Sequence, residues 1–141
     1  MKIKIKKLHD NAKMPTQGTA SAAGFDLYAT ESVDLPFGKP TKISTGLSFE
    51  IPEGYVGVVY SRSSTAKRGI VITPLLVDSD YRGEVFILAN FLHPIWSNER
   101  VNVGERIAQM RIEKLVDTEY EWSETLSDTE RGAGGYGSTG R

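Results

Sequence analysis

Apolar and polar residues alternate with a period of two in one short stretch after another, the pattern of half-buried β-strands. Ile3 and Ile5 stand between Lys2, Lys4 and Lys6; Ile43, Leu47, Phe49 and Ile51 mark out Lys42 to Ile51; Glu84 to Asn90 alternates again. Further short strands are predicted over Phe25 to Ala29, Tyr55 to Tyr60, Ile70 to Ile72, Leu75 to Val77 and Arg106 to Lys114, with Pro52-Glu53-Gly54 as a turn. Only Ser61 to Gly69 suits a helix: serines cap its start and Gly69 ends it. Many short strands with one helical segment predict an all-β sandwich or barrel.

The 141 residues suffice for one domain with a sizeable core. Lys and Arg number 17 against 18 Asp and Glu, a net charge of -1, so no global field recruits nucleic acid or an anionic membrane. Recognition of phosphate must therefore be local. The absence of Cys removes disulfides, thiol nucleophiles and cysteinyl metal sites. Residues 1 to 7 lack a signal-peptide core and no segment has the length and apolarity of a membrane span, so an intracellular, cytoplasmic chain is expected.

The composition shifts near the C-terminus. Asp117 to Glu130 holds six acidic residues and no Lys or Arg, and the last ten residues contain five glycines. The expected organisation is a β core over 1–116, an extended acidic arm over 117–130 and a glycine-rich lid over 131–141. A glycine-rich segment does not hold a conformation alone; it either frays or orders on a ligand.

Several groups suit an anion. Arg62-Ser63-Ser64 brings a guanidinium, hydroxyls and free backbone N–H groups to one place. Arg131 to Gly140 repeats that set and adds the ring of Tyr136 among glycines. His9 and His93 lack metal-ligand spacing and no Ser-His-Asp arrangement is visible, so any base is a carboxylate. Val77-Asp78-Ser79-Asp80-Tyr81-Arg82-Gly83-Glu84 is the stretch that offers one. Carboxylates there either shape a turn or present a base, with Asp78 the candidate base and Asp80 the candidate turn-holder.

Five stretches in order resemble the motif set of the homotrimeric dUTPases, the deoxyuridine triphosphatases. They are Ala23-Gly24-Phe25-Asp26-Leu27-Tyr28-Ala29, Arg62-Ser63-Ser64 with Gly69, the stretch from Val77 to Glu84, Gly104-Glu105-Arg106-Ile107-Ala108-Gln109, and the tail. The resemblance implies a jelly-roll homotrimer with a C-terminal arm, cleaving dUTP to dUMP and pyrophosphate with Mg²⁺ on the triphosphate. It makes Asp78 the base for water and Tyr81 the ring against the deoxyribose. Backbone at Leu76 and Val77 would read uracil. Arg62, Ser63, Ser64, Gly69 and Gln109 would form the phosphate side, Asp26 would hold a water of the hydrated Mg²⁺, and Arg131, Tyr136, Gly137, Ser138 and Thr139 would close over the substrate.

The chain departs from that pattern in places. Leu75 stands where such proteins commonly have Gly, Ser61 where Pro or Gly is frequent, and Tyr136 where Phe is usual. Two other readings share the fold: a dCTP deaminase, and a protein-binding regulator using Phe91 to Asn98.

Overall fold

A computed structural model describes residues 1–93, 95 and 97–135. The described chain forms strands β1 (Lys4–Lys7), β2 (Phe25–Tyr28), β3 (Val33–Pro36), β4 (Thr41–Ser44), β5 (Leu47–Glu50), β6 (Tyr55–Ser61), β7 (Ile70–Ile72), β8 (Leu75–Val77), β9 (Phe86–Phe91), β10 (Asn98–Val101) and β11 (Arg106–Lys114), and each predicted strand stretch falls on one or two of them. Between β6 and β7 lies the helix α1 (Ser63–Lys67).

Neighbouring strands pair antiparallel in the orders β2-β11-β6-β8, β4-β9-β7, β1-β5 and β3-β10. The alternation predicted from sequence is seen directly in β9, where Ile87, Ala89 and Phe91 are buried and Phe86, Leu88 and Asn90 only partly so. These inward residues meet Leu27, Leu35, Ile43, Val59, Ile70, Ile72, Val101 and Ile107 in one core. Each fully buried side chain of this size contributes about 1.5–3 kcal/mol relative to exposure. The layers form an all-β, jelly-roll-like body with one short helix, as the strand pattern predicts.

Two differences from the sequence reading have local causes. Lys42 to Ile51 is two strands, because Gly46 adopts φ 64° and turns the corner between β4 and β5. A side chain at Gly46 would also collide with His9 and Ala12. Strands β3 and β10 escape a hydrophobicity reading: together they bury only Leu35 and Val101, and β3 ends on Pro36. They pair mainly with each other, in the register Val33↔Val101 to Pro36↔Asn98.

Beyond Lys114 the described chain has no helix or strand, and 115–132 are exposed. Tyr120, Trp122 and Leu126 are almost wholly uncovered. Among the described residues strand β1 pairs only with β5, and an apolar groove of about 550 Å³ opens beside it, lined by Met1, Ile3, Ile5, Phe25, Tyr55 and Ile112 among others. Among the described residues no helix is long and apolar enough to cross a membrane.

Candidate active site

The predicted site residues fall into two groups. The first is built where β2, β11 and the end of β6 meet. Register places Gln109 of β11 opposite both Asp26 of β2 and Tyr60 of β6. Arg62 follows β6 in extended backbone and starts α1. Thr65 ties that start down: its buried hydroxyl accepts from the Arg62 N–H at 3.3 Å and donates to the Arg62 carbonyl at 2.8 Å. The serines expected to cap the helix are exposed at its first two positions instead, with Arg62 at the cap. Gly69, at φ 79°, follows the helix and turns the chain into β7.

Asp26 is 7% exposed and carries the electrostatics of this group. Arg62 donates through Nε to Asp26 Oδ1 at 2.7 Å, and Arg106 donates to Oδ2 at 3.3 Å. The Arg62 guanidinium also reaches Ser64 Oγ at 3.0 Å and the Arg106 carbonyl at 3.1 Å. Asp26 therefore aims two cations at the same surface. Removing one partner of a buried pair leaves an uncompensated charge, a cost of about 3–5 kcal/mol. Gln109 is fixed as well, donating to the Ser61 carbonyl at 2.8 Å, and a Cβ on Gly24 would meet its Oε1 at 2.9 Å.

Arg106 is the residue of this group that the sequence reading passed over. The strand registers explain why. Pairing of β11 with β2 shifts between Arg106 and Ala108, so a bulge puts Ile107 and Ala108 both inside. Strict alternation would place Arg106 on the same face as buried Ala108. The bulge turns it toward Asp26.

The second group is the hairpin after β8. Leu75, Leu76, Val77, Asp78, Tyr81, Glu84 and Phe86 line a cleft of about 230 Å³. β8 is the outer strand of its sheet, so one edge of its backbone has no strand partner among the described residues. The turn closes by the Tyr81 N–H donating to the Asp78 carbonyl at 3.2 Å. Arg82 braces it by donating to the Ser79 carbonyl at 2.6 Å. Asp80, expected to hold the turn by its side chain, makes no side-chain hydrogen bond among the described residues; backbone and Arg82 do that work. Asp78 is exposed at the cleft rim, and its carboxylate likewise has no hydrogen-bond or ion-pair partner among the described residues. Tyr81 lies across Gly83, where any Cβ would strike the ring, and its hydroxyl donates to the Glu84 carbonyl at 3.0 Å.

The two groups do not meet on one chain. Gly57 pairs with Val77 and Val59 with Leu75, so Asp78 emerges beside Val56 while Arg62 lies beyond the far end of β6. Arg62 lies six residue steps of extended chain from Val56, about 20 Å by the rise of a strand. A base acting at a phosphorus and an arginine on the same phosphate chain must stand side by side.

In the tail, Arg131 is exposed and donates to the Gly134 carbonyl at 2.9 Å. Tyr136, Gly137, Ser138 and Thr139 lie outside the described residues. No three His, Asp or Glu side chains converge as metal donors among the described residues. With Asp26 shared between two guanidinium groups, the donor set suits a Mg²⁺ carried on a polyphosphate and touching protein through its water shell.

The dUTPase family model matches residues 10–140. A deoxyuridine 5'-triphosphate nucleotidohydrolase of Nautilia profundicola is 49% identical over the full length of both chains, and one of Yarrowia lipolytica is 41% identical over 99% of this chain and 90% of that one. Among solved structures, a G164S mutant of the Staphylococcus bacteriophage 80alpha dUTPase with the dUTP analogue dUpNHpp superimposes with a TM-score of 0.91, at 29% identity, over 99% of each chain.

Proposed function

The chain belongs to the dUTPase family and is a dUTP diphosphatase, and on that premise we propose that Asp78 is the base that drives water onto the α-phosphorus. The observation that carries this reading is the exposed, unpartnered Asp78 carboxylate at the rim of a cleft walled by an open strand edge and the Tyr81 ring. The open edge around Leu76 and Val77 supplies donors and acceptors for a uracil, and Tyr81 packs against a sugar that has no 2′-hydroxyl.

Asp78 removes a proton from water, the hydroxide adds to the α-phosphorus, and the bond to the bridging oxygen of the β-phosphate breaks. The products are dUMP and pyrophosphate. An aspartate is a weak base in bulk water, so positioning and charge neutralisation supply most of the rate. Arg62, Ser63, Ser64 and Gln109 bind the phosphates, with Gly69 fixing the end of their helix and Asp26 orienting Arg62. Arg106 joins them as a second cation. Mg²⁺, when bound, neutralises phosphate charge, with Asp26 reaching only a water of its shell. The residues over 131–141, including Arg131, Tyr136, Gly137, Ser138 and Thr139, close the site as a lid.

The site is assembled from three copies of the chain. The length of β6 between Asp78 and Arg62 supports a division between subunits. The exposed arm supports it too: Glu119 and Glu121 alternate with Tyr120 and Trp122, matching a neighbour's β1, where Lys4 and Lys6 alternate with Ile3 and Ile5 beside the apolar groove. In the cell the enzyme lowers dUTP and supplies dUMP for thymidylate synthesis in the cytoplasm. The direct test is pyrophosphate release from dUTP beside dTTP, dCTP and UTP. Release from dUTP alone is expected; equal turnover of UTP would overturn the sugar-packing role of Tyr81.

A further inference from the structure

We propose that Glu84 is a positioning residue for the Tyr81 ring, and through it sets discrimination between deoxyribonucleotide and ribonucleotide triphosphates. The proposal rests on the dUTP reading above. It starts from a hydrogen-bond chain that runs from the corner between β4 and β5 to Glu84 at the cleft. The buried Thr30 hydroxyl donates to Ser44 Oγ at 2.7 Å, which leaves the Ser44 proton for Glu84 Oε1 at 2.5 Å. The Gly46 N–H donates to the same Glu84 oxygen at 2.9 Å. Both donors sit at the corner between β4 and β5, whose shape Gly46 fixes.

Glu84 is partly buried, yet it has no ion-pair partner among the described residues. Its carboxylate is spent on anchoring its own backbone. That backbone matters because the Glu84 carbonyl accepts the Tyr81 hydroxyl proton at 3.0 Å. The ring is pinned on its other side by Gly83, which leaves no space for a Cβ. The carboxylate thus fixes a carbonyl, the carbonyl fixes a phenol, and the phenol fixes the ring plane facing the sugar. A ring free to tilt makes room for a 2′-hydroxyl.

The test is kcat/KM for dUTP and for UTP in wild type, E84A, E84Q, S44A, Y81F and Y81F/E84A. E84A, which removes both anchoring hydrogen bonds, is expected to lower the dUTP:UTP ratio about tenfold. E84Q keeps an acceptor oxygen for Ser44 and Gly46 and is expected to stay within about threefold of the wild-type ratio. S44A shifts the ratio in the same direction as E84A and carries the test if E84A does not fold. Adding E84A to Y81F is expected to lower the ratio no further, since both act through one contact.

A loss of fold stability lowers both turnovers together and leaves the ratio unmoved. An unchanged ratio in E84A, or in S44A where E84A does not fold, overturns the proposal; so does an E84Q ratio as low as that of E84A, or additive losses in the double variant. A wild-type enzyme inactive on dUTP overturns the functional reading itself, before any variant is measured.

Discussion

Replacing Asp78 by Asn keeps the side chain's size but removes the oxygen that takes a proton from water. Since no other group among the described residues leans on that carboxylate, fold and cleft are expected to survive. D78N is expected to lower kcat by about 10³, within the usual range for a general base, while calorimetry shows dUTP affinity within about threefold of wild type. Unchanged turnover would remove Asp78 from the chemistry. A second residue-scale expectation concerns the β6–β11 pair itself, where Tyr60 stands opposite Gln109. There Tyr60 donates to Glu113 at 2.8 Å and Arg111 closes on the same carboxylate. The Tyr60 bond, with Arg111 behind it, holds Glu113 below the usual carboxylate range, and the same bond pushes Tyr60 above its ordinary value. The signs are opposite. The Glu113 contribution is present above its unfolded value and lost as pH falls through the lowered one; that of Tyr60 is present below its unfolded value and lost as pH rises through the raised one. In Y60F the Glu113 titration midpoint, read by carboxyl carbon NMR, is expected to rise toward that of an ordinary glutamate. A midpoint unmoved would mean that Arg111 alone holds it down.

Strands and segments differ in how openly their sequences announce them. β9 alternates cleanly and is readable, β11 is readable as a strand although a bulge breaks its alternation, and so is the helix after β6. β3 and β10 are not, because each buries one residue and a pairing of two polar strands leaves no hydrophobic period. The break at Gly46 was hidden for another reason: the side-chain pattern runs through it, and only the backbone turns. Within the site, Asp26 and Gln109 were readable as types but not as partners. Their meeting depends on the β2–β11 register, and Arg106 depends on a bulge in that register. The same element view bears on the C-terminal residues. Nothing in the described core packs against 131–135, where Arg131 bonds only within its own turn. Deleting 131–141 is therefore expected to leave the melting temperature and the sedimentation of the proposed trimer unchanged while pyrophosphate release falls at least about a hundredfold. Normal turnover by the truncated chain would show that the segment is not a lid. The acidic arm behaves oppositely. Removing Tyr120 and Trp122 together takes away its large apolar contacts, and the oligomer is expected to dissociate at micromolar concentration by sedimentation velocity. A trimer indifferent to both substitutions would place the arm elsewhere.

At the scale of the whole molecule, the decisive quantity is the span of β6. Asp78 leaves β8 beside Val56, and Arg62 stands about 20 Å away past the other end of the strand. A folded chain does not shorten a paired strand, so in the proposed trimer each copy carries two half-sites facing different neighbours. Closed three-fold symmetry would then complete every site with a hairpin half from one chain and a phosphate half from a second, the tail coming from the third. This arrangement makes an arithmetic prediction. D78N is inactive because its hairpin lacks the base; R62Q is inactive because its phosphate side lacks the guanidinium, and Gln is chosen so that Arg106 still pairs with Asp26. Homotrimers of either variant are dead at every site. When the two are co-expressed in equal amounts, a site works only if its hairpin comes from an R62Q chain and its phosphate side from a D78N chain. Random assembly meets that condition at about a quarter of the sites. Pyrophosphate release by the mixture is therefore expected at about a quarter of the wild-type rate, from two proteins that are each inactive alone. If both halves of a site belonged to one chain, no mixture would recover any activity, because every chain in it carries one broken half. Separately purified homotrimers mixed without unfolding serve as the control and stay inactive for as long as subunits do not exchange.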